Sequence, residues 1–373
     1  MEYPQLKTPK PNILLITSRT GGGHMSLSLA LAEMLSENYQ TTIADPNPSI
    51  IRHYYTWVGR HFLPLWGWGY KTSDNEKAAL RLHKVLTLLV QKQLVTLIEQ
   101  HKPRLIITTH TLLSYEVARA MERSGKSIPL VFQFSELERI HATWVSEKNA
   151  DAYLVPTREI YSQAQKLGID PGHLFLTGMP VRKQFFQDYS VSKPETLTEL
   201  SFDSTVFTVF LQGGAEGAAG IDRTVSNILA SGRPLQIILA VGTNKQLASR
   251  FTGIARVRVL PFTDNIAPYM AAADVIVGKA GPNAIAEAAM LAKPFVATAF
   301  IPGQEAPNLT FLQRYNLGWV CLEAEAQRQL IGKLATEPAL LAQKIASVRD
   351  YRAWNVLANQ YLNSVIDGLL LPE

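Results

Sequence analysis

One short stretch in the second half of the chain has the residue types of an anion-binding site, Lys279-Ala280-Gly281-Pro282-Asn283-Ala284-Ile285-Ala286-Glu287. The apolar run before it predicts a buried strand that ends near Gly278, and Pro282 suits the first helical position, where its missing N–H costs nothing. The free N–H groups and positive dipole end of such a helix bind anions. Glu287, one turn further in, is placed to accept hydrogen bonds from a hydroxylated group beyond the phosphates. The combination indicates a binding site for a nucleotide-diphosphate sugar, although an ordinary strand-to-helix connection would have the same residue pattern.

A second glycine-rich turn lies near the start of the chain, in Ser18-Arg19-Thr20-Gly21-Gly22-Gly23-His24. It follows a predicted buried strand, Asn12–Thr17, and precedes a helical pattern from Met25 to Leu35. Consecutive glycines let the backbone approach a ligand closely, but the turn lacks the GxGxxG pattern of a dinucleotide site. His24 stands at the carboxyl end of a first strand, where open α/β sheets bind ligands. A surface or helix-capping histidine is the alternative.

Polar side chains follow other predicted strands as well. His110 and His141 each come after a strand, as His24 does, so the three imidazoles could meet along one sheet edge. No HxxxH or HExxH pair accompanies them, so we expect no metal site. In the second half the strand ends carry Gly, Asn, Gln or acidic residues, in 212–220, 241–244, 261–264 and 301–308. Strands that alternate with helices predict parallel sheets, whose ligand crevice lies at those carboxyl ends.

The length of 373 residues predicts two domains, because single cores rarely grow that large. We expect a first domain over 1–190, a second over 200–345, and a helix over 346–373 that packs back on the first domain. The polar stretch Lys193–Glu199, which contains a proline, is the predicted linker. Fractions of 47% apolar and 18% charged residues exclude a disordered chain, and the single cysteine, Cys321, excludes an intrachain disulfide. The polar start and the lack of a long apolar run predict neither a secretory signal nor a membrane-spanning helix.

Residues 50–104 differ from the rest of the chain because they are aromatic and basic. Trp57, Trp66 and Trp68 lie within twelve positions, and residues 52–104 hold nine Lys or Arg against three acidic residues. Tryptophan favours the bilayer interface and basic side chains favour anionic headgroups. The apolar spacing over 78–98 is that of an interfacial helix. We therefore predict a membrane-contact segment. A core helix with a basic outer face is the alternative, and no nucleic-acid-binding motif accompanies the charge.

Taken together and in order, the motifs resemble those of the GT-B glycosyltransferases that build membrane glycolipids. These are the monogalactosyldiacylglycerol synthases and the related bacterial diacylglycerol glucosyltransferases, and the bacterial enzyme that adds N-acetylglucosamine to lipid I is a more distant relative. The resemblance runs from about Asn12 to beyond Gly318. It is carried by Thr20-Gly21-Gly22-Gly23-His24, His141-Ala142-Thr143-Trp144, Gly178-Met179-Pro180-Val181-Arg182, Lys279-Ala280-Gly281-Pro282 with Ile285-Ala286-Glu287-Ala288, and Pro302-Gly303-Gln304-Glu305 with Asn308.

The resemblance implies an α/β chain with the GT-B fold, in which two Rossmann-like domains with parallel sheets face each other across a cleft. The first domain would bind the lipid acceptor and the second the UDP-sugar. His24 matches the histidine proposed to act near the acceptor hydroxyl, a role that suits an imidazole at neutral pH. Glu136 and His141 are the other residues assigned to catalysis. Glu136 stands where galactolipid synthases usually carry aspartate, which leaves its role open.

The UDP-sugar site implied by the resemblance draws on several loops. Gly281 to Ala284 would cradle the diphosphate, Glu287 would bind the ribose, and Phe262 would flank the uracil. Amide and carboxylate groups after the next strand would bind the sugar hydroxyls, which need directional donors and acceptors. The full set is Gly22, Gly23, Gly213, Gly214, Gly217, Asn244, Phe262, Lys279, Gly281, Pro282, Asn283, Ala284, Glu287, Gln304, Glu305 and Asn308. The loop over 212–220 departs from the more compact glycine pattern of relatives.

By this resemblance the chain is expected to be an inverting glycosyltransferase that moves a hexose, galactose favoured, from a UDP-sugar to the free hydroxyl of diacylglycerol. Expected partners are the UDP-sugar, diacylglycerol and anionic membrane lipids, with no nucleic acid, no metal or other cofactor, and a peripheral location on the cytoplasmic face of a membrane. The alternatives are glucose as the sugar, N-acetylglucosamine transfer to an isoprenoid-linked acceptor of the lipid I type, a UDP-sugar 2-epimerase, and a membrane-binding module without catalysis. The aromatic, basic segment argues against the epimerase, and the donor-site residues argue against the module.

Overall fold

The computed structural model describes residues 10–19, 22–48, 63–213 and 220–370, and only the backbone of residues 63–66. Trp57, Gly214, Gly217 and the side chain of Trp66 therefore lie outside the described residues. Strands β1 to β12 span Asn12–Ile16, Gln40–Ala44, Leu105–Thr108, Leu130–Gln133, Ala152–Val155, Leu174–Leu176, Phe207–Gln212, Leu235–Ala240, Val257–Leu260, Val275–Lys279, Phe295–Ala299 and Gly318–Val320. Helices α1 to α13 span Gly22–Leu35, Leu63–Ser73, Glu76–His101, Ser114–Ser124, Arg158–Lys166, Lys193–Glu199, Ile221–Leu229, Lys245–Phe251, Ala267–Ala272, Pro282–Met290, Ala306–Arg314, Ala324–Leu334 and Pro338–Leu370.

The strands form two parallel sheets, ordered β2-β1-β3-β4-β5-β6 and β12-β11-β10-β7-β8-β9. In the first sheet the strand order reverses between β1 and β3, and in the second it reverses between β7 and β10. A ligand crevice opens at the carboxyl ends of the strands at such a reversal. The glycine-rich turn of His24 follows β1, and the Lys279 turn ends β10, so both motifs lie at reversal points. The predicted fold class, two α/β domains with parallel sheets, is confirmed.

Both faces of each sheet are covered, which explains why the strands are continuously apolar. In β1, Ile13 and Leu15 pack into the core on one face of the sheet, and Leu14 and Ile16 pack into the core on the other. All four side chains are buried. A polar residue anywhere along such a strand would be desolvated, so polar side chains are left to the strand ends, where the candidate site lies.

The predicted linker Lys193–Glu199 is wrong, because these residues form α6. Pro194 lies in the first turn, where a helix tolerates proline since that position needs no N–H. Leu197 is fully buried in the core of the second sheet. The chain instead crosses between the sheets in segment 177–186, after β6, and the apolar residues of that segment also pack with the second sheet's core.

The long helix α13 contacts both halves of the molecule. Val348, in its first half, packs in the core of the second sheet. Leu362 and Ile366, in its second half, pack in a core of the first sheet. The helix thus runs from the second domain back onto the first.

Two buried asparagines of α13 hold the crossing segment. Asn355 Oδ1 accepts a hydrogen bond from the main-chain N–H of Met179 at 2.8 Å, and Asn359 Nδ2 donates to the carbonyl oxygen of Thr177 at 2.8 Å. Between these two positions Gly178 has a φ of +71°, and a Cβ there would lie 2.6 Å from Asn355 Oδ1 and 2.8 Å from Asn359 Nδ2. The backbone conformation and the close approach of both amides therefore require glycine.

Gly178→Ala is expected to lower the free energy of unfolding by about 3–5 kcal/mol, because left-handed strain adds to steric overlap and weakened asparagine bonds. Chemical denaturation measures this loss. Gly232→Ala is the matched control, since Gly232 has a φ of +68° but no atom within 4 Å of an added Cβ. We expect that control to lose only about 1–2 kcal/mol. Equal losses in the two variants would contradict the asparagine constraint.

Candidate active site

His24 lies at the start of α1, at the reversal point of the first sheet. Its Nδ1 is 2.8 Å from the main-chain carbonyl oxygen of Thr109, the residue after β3. A carbonyl oxygen can only accept, so Nδ1 carries the hydrogen and Nε2 keeps its lone pair. Burial lowers the pKa of His24 below its usual 6.5, and the bond to Thr109 opposes this. At neutral pH the imidazole is therefore uncharged and able to accept a proton at Nε2.

The ring of His110 lies against the ring of His24, with centroids 4.3 Å apart and planes tilted by 56°. His110 Nδ1 accepts from the main-chain N–H of Leu112 at 3.2 Å, so its own hydrogen is on Nε2. Burial and the nearness of His24 hold the pKa of His110 well below its usual 6.5. A charge on either ring would repel a charge on the other, which supports the neutral form of both. Two of the three histidines that follow predicted strands thus meet at one sheet edge.

A row of hydroxyls fixes the strand ends beside His24. Ser28 Oγ lies 2.9 Å from Thr109 Oγ1, which in turn donates to Thr17 Oγ1 at 2.9 Å. All three residues are buried. The sequence did not single them out, because a threonine at the end of an apolar run looks like any strand end. Their bonds position the Thr109 carbonyl that orients His24.

The turn from β10 to α10 depends on small residues. Gly278 is needed because a Cβ there would overlap the carbonyl oxygen of Gln212 on the neighbouring β7. Gly281 is the N-cap of α10, and Pro282 lies in its first turn. The first N–H groups of such a helix have no helical partners and, with the helix dipole, favour a bound anion.

The loop after β11 closes on this turn. Lys279 forms an ion pair with Glu305, and Asn308 Nδ2 donates to the carbonyl oxygen of Ala280 at 2.9 Å. A Cβ on Gly281 would lie 3.6 Å from both Lys279 Nζ and Glu305 Oε1. The structure therefore gathers four of the predicted donor-site residues into one cluster. Within it Asn308 holds the turn, and the Lys279 ammonium lies beside the N-terminus of α10.

Two side-chain hydrogen bonds join α1 and α10 across the cleft between the domains. Asn283 Nδ2 donates to the carbonyl oxygen of Gly23 at 2.9 Å, and Ser26 Oγ donates to Glu287 Oε1 at 3.1 Å. His24 lies in the chain between Gly23 and Ser26. The predicted catalytic residue and the predicted phosphate turn are therefore on opposite sides of one contact. Ser26 was missed from the sequence, since no local pattern marks a serine whose partner is on another domain.

Burial raises the pKa of Glu287 to about 7, and Arg182 and Ser26 oppose the rise. The folded protein thus favours the protonated carboxyl. As pH rises from the unfolded-state pKa of 4.5 through 7, ionisation of Glu287 lowers the free energy of unfolding, by about 3 kcal/mol at pH 8.

Glu287→Gln removes this loss, so we expect the variant to be more stable than wild type at pH 8 and similar to it near pH 5. Urea denaturation at both pH values measures the difference. Ser26→Ala is the control and should keep the pH dependence, whereas a Glu287→Gln difference that does not grow with pH would contradict the buried carboxyl.

Glu136, which was assigned to catalysis, is buried beside Trp144. Its Oε2 accepts from Trp144 Nε1 at 2.7 Å and from the main-chain N–H of Ser135 at 3.1 Å. Burial raises the pKa of Glu136, and these hydrogen bonds oppose the rise. Among the described residues Glu136 forms no hydrogen bond with His24. The geometry is that of a residue that positions the indole of Trp144.

His141, also assigned to catalysis, is hydrogen-bonded at both ring nitrogens. Its Nδ1 accepts from the main-chain N–H of Thr143 at 3.2 Å, so Nε2 carries the hydrogen that is donated to the carbonyl oxygen of Tyr70 at 3.0 Å. The rings of His141 and Tyr70 lie 4.3 Å apart, centroid to centroid. Desolvation lowers the pKa of His141. The hydrogen bonds of this imidazole therefore link α2 to the turn at 142–145.

Helix α2 also touches the second domain. A Cβ on Gly67 would lie 2.9 Å from Pro302 Cβ, and a Cβ on Gly303 would lie 3.0 Å from Tyr70 Cδ1. Trp68 on the same helix is 66% exposed. A helix from the predicted membrane-contact segment therefore abuts the loop between β11 and α11.

The remaining predicted donor residues follow other strands of the second sheet. Gly213 comes after β7, and Gln304 lies in the loop before α11. Asn244 comes after β8, and its Oδ1 caps α8 by accepting from the main-chain N–H of Leu247 at 2.9 Å. Phe262 comes after β9 and is 62% exposed. Their contacts with a nucleotide stay predictions.

In the described part of the chain, no helix is both long and apolar enough to cross a bilayer. The same residues contain no group of three or more His, Cys, Asp or Glu side chains placed to hold a metal ion. Exposed apolar side chains of the first domain include a group on α2 and α3, namely Trp68, Val85, Leu88 and Leu89.

Comparison with known proteins matches each half of the chain to a family model. Residues 24–181 match the family model of monogalactosyldiacylglycerol (MGDG) synthase, and residues 208–343 match that of the glycosyltransferase family 28 C-terminal domain. The MGDG synthase of Spinacia oleracea is 28% identical over 90% of this chain and 69% of its own length. MGDG synthase 1 of Arabidopsis thaliana is 26% identical over 82% of this chain and 61% of its own length, so the chain spans less than two thirds of that relative.

Solved structures show the same architecture. The crystal structure of MurG from Acinetobacter baumannii has a TM-score of 0.61 at 15% identity and covers 96% of this chain and 99% of its own. UGT2 from Phytolacca americana, solved with UDP-2-fluoro-glucose and pterostilbene, has a TM-score of 0.64 at 11% identity and covers 97% of this chain and 100% of its own. At these identities the likeness shows the fold alone. Together with the family matches, it shows a chain of the GT-B fold that resembles the monogalactosyldiacylglycerol synthases.

Proposed function

We propose that the protein transfers a hexose, galactose favoured, from a UDP-sugar to the free hydroxyl of 1,2-diacylglycerol, with inversion at the anomeric carbon. The observation that carries the proposal is the 2.8 Å bond from His24 Nδ1 to the Thr109 carbonyl. It leaves Nε2 as a proton acceptor next to the contact between α1 and α10. The names of the MGDG synthase relatives support the choice of acceptor and sugar.

In the proposed reaction Nε2 of His24 takes the proton of the diacylglycerol hydroxyl as its oxygen attacks the anomeric carbon. The new bond to that carbon forms as the bond to the UDP oxygen breaks, and UDP leaves with the bonding electron pair. Attack opposite the leaving group inverts the configuration. A positioned general base contributes about 10²–10⁴-fold to such a step.

On the donor side, the N-terminus of α10 would stabilise the charge that develops on the leaving diphosphate. Lys279, beside Gly281, would add a positive charge there, so the reaction would need no metal ion or other cofactor. Glu287 would accept from the ribose hydroxyls in place of Ser26, and Gln304 and Glu305 would bind the hexose. These roles rest on the resemblance and on the cluster around Gly281.

On the acceptor side, we propose that α2 and α3 place the first domain on a membrane as a peripheral protein. Exposed Trp68 on α2 and exposed Val85, Leu88 and Leu89 on α3 support this, because soluble surfaces rarely group large apolar side chains. The aromatic and basic composition of 50–104 has the same implication. Contact of α2 with the Pro302–Gly303 loop would put the donor site next to the lipid surface.

The test is incubation of the pure protein with vesicles that contain diacylglycerol and with UDP-galactose or UDP-glucose, following both glycolipid and UDP. We expect galactolipid and UDP in equal amounts, with the β-anomer seen by NMR, and no UDP release from vesicles without diacylglycerol. A higher kcat/KM with UDP-glucose would reassign the sugar. UDP release without glycolipid, or conversion of UDP-N-acetylglucosamine to its 2-epimer without any acceptor, would overturn the proposal.

A further inference from the structure

An open recess of about 450 Å³ lies on the surface of the first domain between α3 and α4. Its lining includes Lys84 and Gln91 from α3 and Tyr115, Arg119, Glu122 and Arg123 from α4. None of these residues belongs to the candidate active site. The recess therefore needs an explanation of its own.

The recess carries an excess of fixed positive charge. Arg119 pairs with Glu122 at 2.8 Å and with Glu147 at 2.6 Å, and its guanidinium lies 5.1 Å from the centroid of the Tyr115 ring. Among the described residues no carboxylate lies within ion-pair distance of Lys84 or Arg123. Two cations of the lining thus remain to be neutralised, which suits an anionic group such as a phosphate.

The side chains of the recess are also held in place. Arg123 Nη1 donates to Gln91 Oε1 at 3.2 Å, which ties the two helices together across the recess. The Nε of Arg119 is buried and has no hydrogen-bond partner among the described residues. A guanidinium that is already ordered loses less side-chain entropy when it binds an anion.

A stripe of apolar side chains borders the recess on α3. Val85, Leu88 and Leu89 are 59%, 82% and 53% exposed. Their spacing puts them on one face of the helix, and Leu88 lies one turn after Lys84. Single exposed leucines are ordinary, but a contiguous exposed group marks an interaction surface. Arg81 and Lys92 flank the stripe, and residues 77–98 contain no acidic side chain.

We propose that the recess between α3 and α4 binds the headgroup phosphate of an anionic phospholipid, while Val85, Leu88 and Leu89 enter the acyl-chain region beneath it. Phosphate and hydrocarbon occur side by side at the surface of a bilayer, as the two halves of this surface do on α3. A soluble phosphate compound or a nucleic acid would leave the apolar stripe in water. The inference rests on the peripheral membrane location proposed above and gives it a specific lipid contact.

The test compares vesicle binding of wild type with that of the double variant Lys84→Gln, Arg123→Gln by sedimentation, without any UDP-sugar. Each basic side chain near an anionic surface contributes about fivefold to affinity, so we expect a loss of roughly 20- to 30-fold on vesicles that contain phosphatidylglycerol. Binding to phosphatidylcholine vesicles should change little. The pair Lys166→Gln, Lys333→Gln is the control, since both lysines are exposed elsewhere and the change in net charge is the same. An equal loss in that control would overturn the proposal, because net charge alone would then explain it.

Two further arms identify the ligand chemistry. Vesicles with oleate at the same surface charge test for phosphate, and the double variant should lose much less affinity on them. Millimolar free glycerophosphate tests the source, and we expect it to displace little of the bound protein. An equal loss on oleate vesicles would overturn phosphate recognition, and tight binding of free glycerophosphate without vesicles would overturn the lipid source.

A last pair of measurements separates this inference from the proposed function. Leu88→Ser should weaken binding to charged and uncharged vesicles alike, because it removes apolar area rather than charge. In uncharged detergent micelles the Lys84→Gln, Arg123→Gln variant should transfer sugar at the wild-type rate, since neither residue lies in the candidate active site. If wild type itself transfers no sugar, the proposed function fails, and the vesicle comparison still decides the recess.

Discussion

Replacing His24 with alanine is expected to lower kcat for sugar transfer by about 10²–10⁴-fold and to leave the affinity for UDP within a few-fold of wild type. The reason is the hydrogen bond from Nδ1 to the Thr109 carbonyl, which fixes the tautomer and leaves Nε2 as the proposed base. UDP affinity should survive because the proposed diphosphate contacts lie on α10 and β10. Steady-state kinetics with diacylglycerol in micelles and titration with UDP measure the two quantities separately.

The pH dependence gives an independent check of the same role. Since burial lowers the pKa of His24 below 6.5, wild-type kcat should fall only when the pH drops below 6.5. The acid limb should be absent from the residual activity of His24→Ala, and added imidazole should restore part of the rate. Protonation of Glu287 near pH 7 should instead act on the KM for the UDP-sugar. Wild-type kcat in His24→Ala would contradict the general-base role.

The sequence predicted the crevice of each sheet because parallel strands bring their carboxyl ends to one edge. His24 and His110 are far apart in the chain, yet both follow strands that pair directly, β1 and β3. Their ring contact follows from that pairing. The Lys279 turn could be located in the same way, since the apolar run of β10 and Pro282 mark the strand end and the helix start.

Contacts between distant segments could not be read from the sequence. Ser26 and Glu287 lie 261 positions apart, and their bond depends on how the two domains face each other. The asparagines of α13 bond to a segment 176 or more positions upstream. The wrong linker has the same origin, because a polar stretch with a proline fits both a loop and a helix start. Burial of Leu197 in the second sheet's core favours the helix.

The roles of His141 and Glu136 show where motif reasoning reaches its limit. A motif gives the type and order of residues, but it does not say which atoms are already bonded. In the structure both ring nitrogens of His141 are hydrogen-bonded, to Tyr70 and Thr143. The carboxylate of Glu136 accepts a hydrogen bond from Trp144. Both side chains therefore hold neighbouring segments of the first domain in place, whereas the Nδ1 bond of His24 leaves its Nε2 lone pair able to accept a proton.

Glu116→Leu is expected to lower the free energy of unfolding by about 2–3 kcal/mol, the cost of leaving a buried polar atom without its hydrogen-bond partner. Glu116 Oε1 lies 2.9 Å from His83 Nδ1, and both side chains are fully buried. His83 Nε2 must donate to the Thr143 carbonyl oxygen 3.0 Å away, so Nδ1 and Glu116 share one proton between them. Leucine would leave Nδ1 buried without a partner. Urea denaturation at pH 7 measures the loss.

Two variants of the same helix make the result specific to the pair. Glu116→Gln can still donate an amide hydrogen to Nδ1, so we expect a loss of only about 1–2 kcal/mol. Glu122→Leu removes a carboxylate whose side chain is 60% exposed and should cost less than about 1 kcal/mol. A loss in Glu116→Leu no larger than that of Glu122→Leu would contradict the buried pair. Because His83 joins α3 to the segment that carries His141, loss of the pair should also raise the KM for diacylglycerol while UDP affinity stays unchanged.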